Sequence, residues 1–219
     1  MPNKYFRNRY NIGMTLVELM VVISIFTLVT FATIFNYNTY RSSSSIQNLS
    51  DDIALAIRKA QSYAIGVYKT SSGFNYGYGI SFSTQNNPSS LLMSSNKTFV
   101  LFTDVSDNKK YNYSSTSSIC GEISSTNECT EIFNITTADE ISEIYANDSL
   151  IGDSKMVDVY FKRPNPDAVF CVRNIGGSSC ESNISNIKIV ISSQEDNEEN
   201  KSKSIKIWNT GQISVTSNE

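Results

Sequence analysis

The first forty residues contain a long apolar segment behind a short basic one. From Leu19 to Tyr40 the chain has 22 residues without a charge, and the preceding segment carries Lys4, Arg7 and Arg9 but no acid. At about 1.5 Å per helical residue, the uncharged run is about 30 Å long, which matches the hydrocarbon core of a bilayer. The pattern predicts one membrane-spanning helix. The basic flank predicts that the N-terminus stays cytoplasmic while the residues after Arg41 are translocated.

After Arg41 the apolar positions become periodic. They recur at intervals of three or four residues, which places them on one face of a helix. These positions are Ile46, Leu49, Ile53, Ile57, Ala60, Ala64 and Val67. No helix breaker stands between Met14 and Ile65, whereas Gly66 and then Ser71-Ser72-Gly73 end the pattern. We predict a single helix of about fifty residues, whose second half packs on a globular domain.

From Phe74 onward the apolar period becomes two or the apolar runs become short, which predicts strands. The candidate strands are FNYGYGISF, TFVLFTDV, TEIFNI, KMVDVYF, AVFCV, NIKIVIS, SIKIWN and QISVT. Clusters of Ser, Asn, Asp and Gly between them predict loops. Asn209-Thr210-Gly211 predicts a hairpin turn between the last two strands, and Trp208 is predicted to lie in the core. The segment from Gln194 to Ser204 is charged and predicts an exposed loop.

Composition narrows the possible functions. The chain of 219 residues has no histidine. This excludes Ser-His-Asp and Cys-His catalysis, histidine metal sites and HExxH zincins. No pair of carboxylates stands out for acid–base work, so we predict no enzyme, no catalytic residue and no cofactor. The formal net charge of −3 makes nucleic acid an unfavoured partner.

Four cysteines lie in the predicted globular part. Cys120 and Cys129 form one C-x8-C pair, and Cys171 and Cys180 form another. Outside the cytoplasm disulfides persist, and four cysteines allow three connectivities. The loops rich in Gly, Ser and Asn within each pair favour the local pairing. A four-thiolate zinc site and free thiols are the alternatives, although zinc ligand pairs are usually two to four residues apart.

Acidic clusters do not predict a metal site. Glu195, Asp196, Glu198 and Glu199 lack the spacing and the glycine of an EF-hand, and the segment 104–108 is equally weak. We interpret both as solvated loops.

Gly13 and Glu18 point to a specific use of the apolar helix. Glu18 lies near its start, where an unpaired carboxylate costs several kcal/mol in lipid. A free α-amine created by cleavage after Gly13 would supply a partner. The string GMTLVELMVVISI at residues 13–25 resembles the class III signal of type IV prepilins and pseudopilins. In that family a dedicated peptidase cuts after the glycine and methylates the new N-terminus, here Met14, which makes Glu18 the fifth mature residue. Met14 stands where the family usually has Phe, and Phe35 where members often have a kinking proline.

The resemblance implies an α+β, pilin-like fold in which one long N-terminal helix packs on a mostly antiparallel β-sheet domain. It divides the chain into a leader (1–13), a transmembrane and filament-core half-helix (14–40), an amphipathic half-helix (41–70) and an extracytoplasmic domain (71–219). It implies a single-pass protein of the inner membrane that assembles into a filament. Its implied partners are other pilins or pseudopilins, the prepilin peptidase, an inner-membrane platform protein and an assembly ATPase.

The YGYGISF strand and the terminal IKIW-NTG-QISV hairpin resemble H-type minor pseudopilins of type II secretion and the related type IV minor pilins. Two alternatives stay open. One is a pilus-borne minor pilin that captures DNA, with basic candidates at Lys109-Lys110, Lys162-Arg163 and Lys201/Lys203/Lys206. Loss of the leader would leave a formal charge of −6, and this negative charge disfavours DNA capture. The other is a simple signal-anchored binding domain.

Overall fold

The computed structural model describes residues 13–66, 76–114, 119–162, 165–181, 183–193 and 202–218. The chain divides into two compact units, residues 1–41 and residues 42–219. Its elements, in chain order, are helix α1 (Leu16–Ile65) and strands β1 (Gly77–Ser83), β2 (Thr98–Asp104), β3 (Cys129–Asn134), β4 (Asp139–Ala146), β5 (Ser149–Leu150), β6 (Lys155–Phe161), β7 (Ala168–Asn174), β8 (Asn186–Ser193), β9 (Ser202–Trp208) and β10 (Ile213–Asn218).

Helix α1 has 50 residues, as the unbroken sequence predicts. It ends at Ile65, where the N–H of Gly66 donates to the carbonyl of Ser62 in the last turn. Within the second unit its predicted apolar stripe is buried. The predicted residues that are buried are Ile46, Leu49, Ile53, Ile57, Ala60 and Ala64, and Ala54 and Ala56 are buried as well. Val67, the last predicted member of the stripe, lies outside the described residues.

The described strands form two five-stranded sheets. Sheet A has the order β3-β2-β1-β6-β7, and sheet B has the order β10-β9-β8-β4-β5. Every adjacent pair is antiparallel. The N-terminal apolar helix followed by a globular domain of antiparallel sheets confirms the predicted α+β, pilin-like architecture.

One apolar core joins the stripe of α1 to side chains from both sheets. Ile80 and Leu101 enter it from sheet A, and Ile189 and Ile207 enter it from sheet B. A second cluster, which includes Phe102, buries other side chains of sheet A. Because the two clusters take alternate residues, β2 is buried on both faces.

Two glycines make the centre of sheet A possible. A Cβ on Gly77 would collide with the ring of Tyr160, and one on Gly79 would collide with the ring of Phe102 and a backbone oxygen. The GYG sequence at the start of β1 therefore leaves room for aromatic rings from the neighbouring strands.

Sequence reasoning missed β4 and β5, whose residues fell among the predicted loops. The register between β4 and β8 shifts between Ile141 and Glu143, so this bulge breaks the period of two along β4. The two-residue turn between β4 and β5 carries Asn147 and Asp148, both at positive φ (49° and 62°). An Asn-Asp pair of this kind is the available sequence signal for a tight hairpin.

The predicted hairpin turn between β9 and β10 is confirmed. Gly211 has a φ of 80°, and its N–H donates to the carbonyl of Trp208 (2.9 Å). The side-chain amide of Gln61 on α1 donates to the carbonyls of Pro166 (3.0 Å) and Gly211 (3.2 Å).

The prediction that Trp208 lies in the core is wrong. Its neighbour Ile207 enters the core, so alternation along β9 directs Trp208 to the opposite face. There it is half-buried, with the ammonium of Lys206 5.8 Å from its ring centroid.

Candidate functional site in the N-terminal segment

The segment around Gly13 lies just ahead of the helix. Gly13, Met14 and Thr15 are not helical and are exposed, and α1 begins at Leu16. The leader residues 1–12, with Lys4, Arg7 and Arg9, lie outside the described residues. The bond between Gly13 and Met14, the expected cleavage point, is therefore not enclosed by the helical hydrogen-bond ladder, which begins when the N–H of Leu19 donates to the carbonyl of Thr15 (3.1 Å).

Thr15 and Glu18 cap the helix reciprocally. The N–H of Glu18 donates to Oγ1 of Thr15 (3.2 Å), and the N–H of Thr15 donates to Oε2 of Glu18 (3.4 Å). This is the capping box of a T-x-x-E sequence, which satisfies N–H groups that no helical carbonyl can reach. Sequence reasoning found Glu18 but missed Thr15, although the four-residue pattern was available as a signal.

The carboxylate of Glu18 occupies the first turn, where the helix dipole favours negative charge. Its bond to the N–H of Thr15 is long, at 3.4 Å, and the side chain is exposed. The group is therefore oriented at the helix end and remains accessible to a cation. This arrangement suits an acid that exchanges one partner for another.

The residues after this cap form an apolar surface. Leu16–Ile34 has a mean hydropathy of 2.3, and none of the span is buried in the structure. Its large apolar side chains, with Met14 just before it, are 50–74% exposed. Nineteen helical residues extend about 28 Å, close to the thickness of a bilayer core. By length and composition the segment can cross a membrane, and it matches the transmembrane helix predicted from the sequence.

Three threonines place hydroxyls within this span. Thr27 donates to the carbonyl of Ser24 (2.9 Å), Thr30 to that of Phe26 (2.8 Å) and Thr33 to that of Thr30 (2.8 Å). Each hydroxyl is thus satisfied by the helix's own backbone, which makes it compatible with hydrocarbon. Sequence reasoning did not single out these residues.

The cysteines form two local disulfides. Cys120 bonds to Cys129 and Cys171 bonds to Cys180, with Cα–Cα distances of 5.0 and 4.8 Å. This is the pairing that the loop sequences favoured, and the structure contains neither the alternative thiolate zinc site nor a free thiol at these four described positions. Cys129 opens β3 and Cys171 lies in β7, so the bonds lie on the two edge strands of sheet A.

The basic positions considered for DNA are dispersed and partly neutralised. Lys162 pairs with Asp107 (2.7 Å), and Lys206 pairs with Asp148 (3.0 Å). The ammonium of Lys203 donates to the side-chain oxygen of Gln47. The ammonium of Lys110 donates to the carbonyl of Ser178 (3.3 Å), and no hydrogen bond or ion pair of the Lys109 side chain is seen among the described residues. Arg163 and Lys201, and the acidic run Glu195, Asp196, Glu198 and Glu199, lie outside the described residues.

Residues 8–34 match the family model of the prokaryotic N-terminal methylation motif. Comparison with curated proteins and with solved structures found no match. The matched residues include Gly13, Met14 and the capping pair of Thr15 and Glu18, and they end where the exposed apolar span ends. The H-type resemblance of the terminal hairpin receives no support from these comparisons. The motif, the apolar helix and the antiparallel domain agree, and together they support a type IV prepilin-like family for the chain.

Proposed function

We propose that the chain is a minor pilin or pseudopilin, a structural subunit that assembles through its N-terminal helix into a type IV pilus or a type II secretion pseudopilus. The observation that supports this most is the N-terminal arrangement. A non-helical Gly13–Met14 bond stands next to a capped, accessible Glu18, at the head of an uncovered apolar span.

Processing follows from that arrangement. The prepilin peptidase cleaves after Gly13 and methylates the amine of Met14. The proposed cut lies outside the helix, so the peptidase can bind an extended segment without unwinding α1. Thr15 then lies one residue from the new N-terminus and keeps the helix start in place.

Assembly follows from the electrostatics of Glu18. Inside a bundle of apolar helices an unpaired carboxylate costs several kcal/mol, because no water solvates it. The Met14 amine of a neighbouring subunit, or of the same subunit, supplies the cation. A register that joins the two groups is therefore selected over registers that leave Glu18 unpaired.

The capping box lets Glu18 be satisfied in two successive ways. In the precursor its carboxylate accepts the N–H of Thr15 at 3.4 Å, a weak bond by geometry. An ammonium carries a full positive charge, so it adds direct Coulomb attraction to the hydrogen bond, and that attraction is strong where water is excluded. Pairing with the new amine is thus favoured over the intrachain cap.

In this proposal the protein is a single-pass protein of the inner membrane, with its N-terminus cytoplasmic and residues 42–219 extracytoplasmic, and it later enters the filament. Its partners are other pilins or pseudopilins, the prepilin peptidase, the inner-membrane platform protein and the assembly ATPase. The β9–β10 hairpin and the glycine-rich β1 support the H-type minor subfamily by resemblance alone.

The test replaces Glu18 by Gln, which keeps the shape and removes the charge. We expect the variant to insert in the membrane like the wild type but to enter filaments at least about tenfold less, since the loss of one buried charge pair exceeds 1.4 kcal/mol. Asp51→Asn is the matched control, because Asp51 is an exposed acid on the same helix. Incorporation of Glu18→Gln at the wild-type level would contradict the mechanism.

N-terminal sequencing of the protein from its native membrane tests processing separately. We expect an N-methylated Met14. A retained Met1 in cells with an active prepilin peptidase would instead identify a signal-anchored domain outside the filament.

A further inference from the structure

A polar cleft of about 520 Å³ opens in the second unit, where three loops meet. The first loop follows β2 and is described from residue 105 to residue 114. The other two are the disulfide loops Cys120–Cys129 and Cys171–Cys180. Lys110, Tyr113, Thr126, Arg173 and Ser178 are among the residues that line it. None of these residues belongs to the N-terminal segment, so the cleft is independent of the proposed filament contacts.

Buried carboxylates fix the first wall of the cleft. Asp104, Glu128 and Asp158 are each at most 1% exposed, and together they accept six backbone N–H groups from residues 105–112. The donors are Val105, Ser106 and Asn112 to Glu128, Asn108 and Lys109 to Asp104, and Tyr111 to Asp158. Because buried charges require such partners, this loop is held in one conformation.

The other two walls are closed covalently. In the Cys120–Cys129 loop, Ser124 and Asn127 exchange backbone hydrogen bonds (2.7 and 3.2 Å), which places Ser125 and Thr126 at the tip of a tight turn. In the Cys171–Cys180 loop, the N–H of Gly177 donates to the carbonyl of Asn174 (2.8 Å). The cleft is therefore preorganised, which lowers the entropy lost on binding.

The two charged residues of the lining are both basic, and Lys110 carries the charge that is not already paired, because Arg173 forms an ion pair with the buried Asp158 (3.1 Å). Lys110 and Arg173 line the cleft, and no carboxylate does so among the described residues. The ammonium of Lys110 donates to the carbonyl of Ser178 (3.3 Å) and has no carboxylate partner in the described part of the chain. It is thus available to an anion.

Arg173 is 4% exposed, and its described hydrogen bonds use only some of its N–H groups. Its Nε donates to Asp158 (3.1 Å), its Nη2 to the carbonyl of Tyr111 (2.7 Å) and its Nη1 to that of Gly177 (3.5 Å). A guanidinium has five N–H groups, so two are without a partner among the described residues. A buried, fixed guanidinium at a cleft wall is suited to a carboxylate.

We propose that this cleft binds a carboxylate-bearing saccharide, with the acid group at Lys110 and Arg173. The hydroxyls of Ser125, Thr126 and Ser178 provide donors and acceptors for sugar hydroxyls, and the ring of Tyr113 provides an apolar face. Nucleic acid fits less well, because two cations neutralise few phosphates and the side chains of Lys162, Lys203 and Lys206 are engaged elsewhere.

The test uses the full chain in detergent micelles and saturation-transfer NMR, which detects weak ligands directly. The probes are trigalacturonate and sialyllactose, with maltotriose and lactose as neutral counterparts. We expect signal from at least one acidic probe and none from its neutral counterpart. Lys110→Gln is expected to weaken binding about tenfold, through loss of a charge-assisted bond.

Lys109→Gln is the matched control, because the adjacent lysine does not line the cleft, and it is expected to bind like the wild type. Thr126→Val, which removes one hydroxyl at nearly constant shape, is expected to weaken binding a few-fold. Circular dichroism verifies that each variant is folded, and Thr126→Val carries the test should Lys110→Gln misfold.

Three outcomes would overturn the proposal. They are no acidic probe binding above its neutral counterpart, equal weakening by Lys109→Gln and Lys110→Gln, and displacement of the acidic probe by single-stranded DNA that binds more tightly. The last outcome would assign the cleft to nucleic acid. The filament proposal is untouched by any of them, since every variant keeps the N-terminal segment intact.

Discussion

The buried stripe of α1 predicts that two neighbouring positions respond very differently to truncation. Ile53 is fully buried in the core shared with both sheets, whereas Leu55 is 58% exposed. Ile53→Ala removes three carbon atoms, worth about 0.8 kcal/mol each in transfer, and leaves a cavity that adds about 1 kcal/mol or more. We therefore expect a loss of about 3–4 kcal/mol in unfolding free energy. Leu55→Ala is expected to change it by less than about 0.5 kcal/mol.

Urea unfolding of the full chain in detergent micelles measures both variants. Trp208, the only tryptophan, lies half-buried on β9 and reports the unfolding of the second unit through its fluorescence. With a slope of about 2 kcal/mol/M, Ile53→Ala shifts the midpoint by about 1.5–2 M. A loss below about 1 kcal/mol for Ile53→Ala, or an equal loss for Leu55→Ala, would refute the assignment of this helix face to the core.

Three further predictions concern the second unit. Gly211→Ala places a Cβ at a φ of 80° and against a backbone carbonyl, so it should lower the free energy of unfolding, measured by thermal unfolding, by about 2–3 kcal/mol. The control is Gly152→Ala, whose Cβ meets nothing within 4 Å and which should lower it by less than about 1 kcal/mol. Equal effects of the two would contradict the strain argument. Replacing Cys120 and Cys129 together by Ser should cost about 2.5–3 kcal/mol in urea unfolding, through the entropy of a short closed loop; an unchanged midpoint would mean that the loop is ordered without the bond. Burial raises the pKa of Glu128 above its ordinary 4.5. The folded chain therefore binds this proton more tightly than the unfolded chain, and the free energy of unfolding falls as pH rises from 4.5 through the folded pKa. Urea midpoints across that range should fall less steeply in Glu128→Gln, and parallel profiles would exclude this group as the cause.

The elements that sequence reasoning found are those with an unbroken period. Helix α1 was predictable because nothing interrupts it before Gly66, and its stripe because Ile46 to Ala64 keep helical spacing. Strand β4 was missed because the bulge at Ile141–Glu143 breaks its alternation. The outward position of Trp208 followed from its neighbour Ile207, but a large aromatic side chain suggested burial instead.

The N-terminal site and the polar cleft differ in how far they can be predicted from the sequence. The N-terminal site is continuous, so Gly13, Met14 and Glu18 were visible in one string. The cleft joins Lys110, Thr126 and Arg173, which are separated in sequence and meet only after the strands of sheet A pair. Carboxylates that hold its wall, such as Asp104, looked like a solvated loop, because burial is set by tertiary structure.

The threonine hydroxyls of the apolar span donate to carbonyls of α1 itself, so along its described part they offer few polar groups to a neighbouring helix. Two such helices packed side by side meet a surface of nearly uniform chemistry, and sliding one along the other changes their contact energy little over short distances. The exception is the axial offset between the two helices that brings Glu18 to a cation, because at that offset the interaction energy has a single deep minimum. In the proposed filament, tension would therefore be resisted at one point per subunit, and the helices could yield axially while the disulfide-closed domains stay folded.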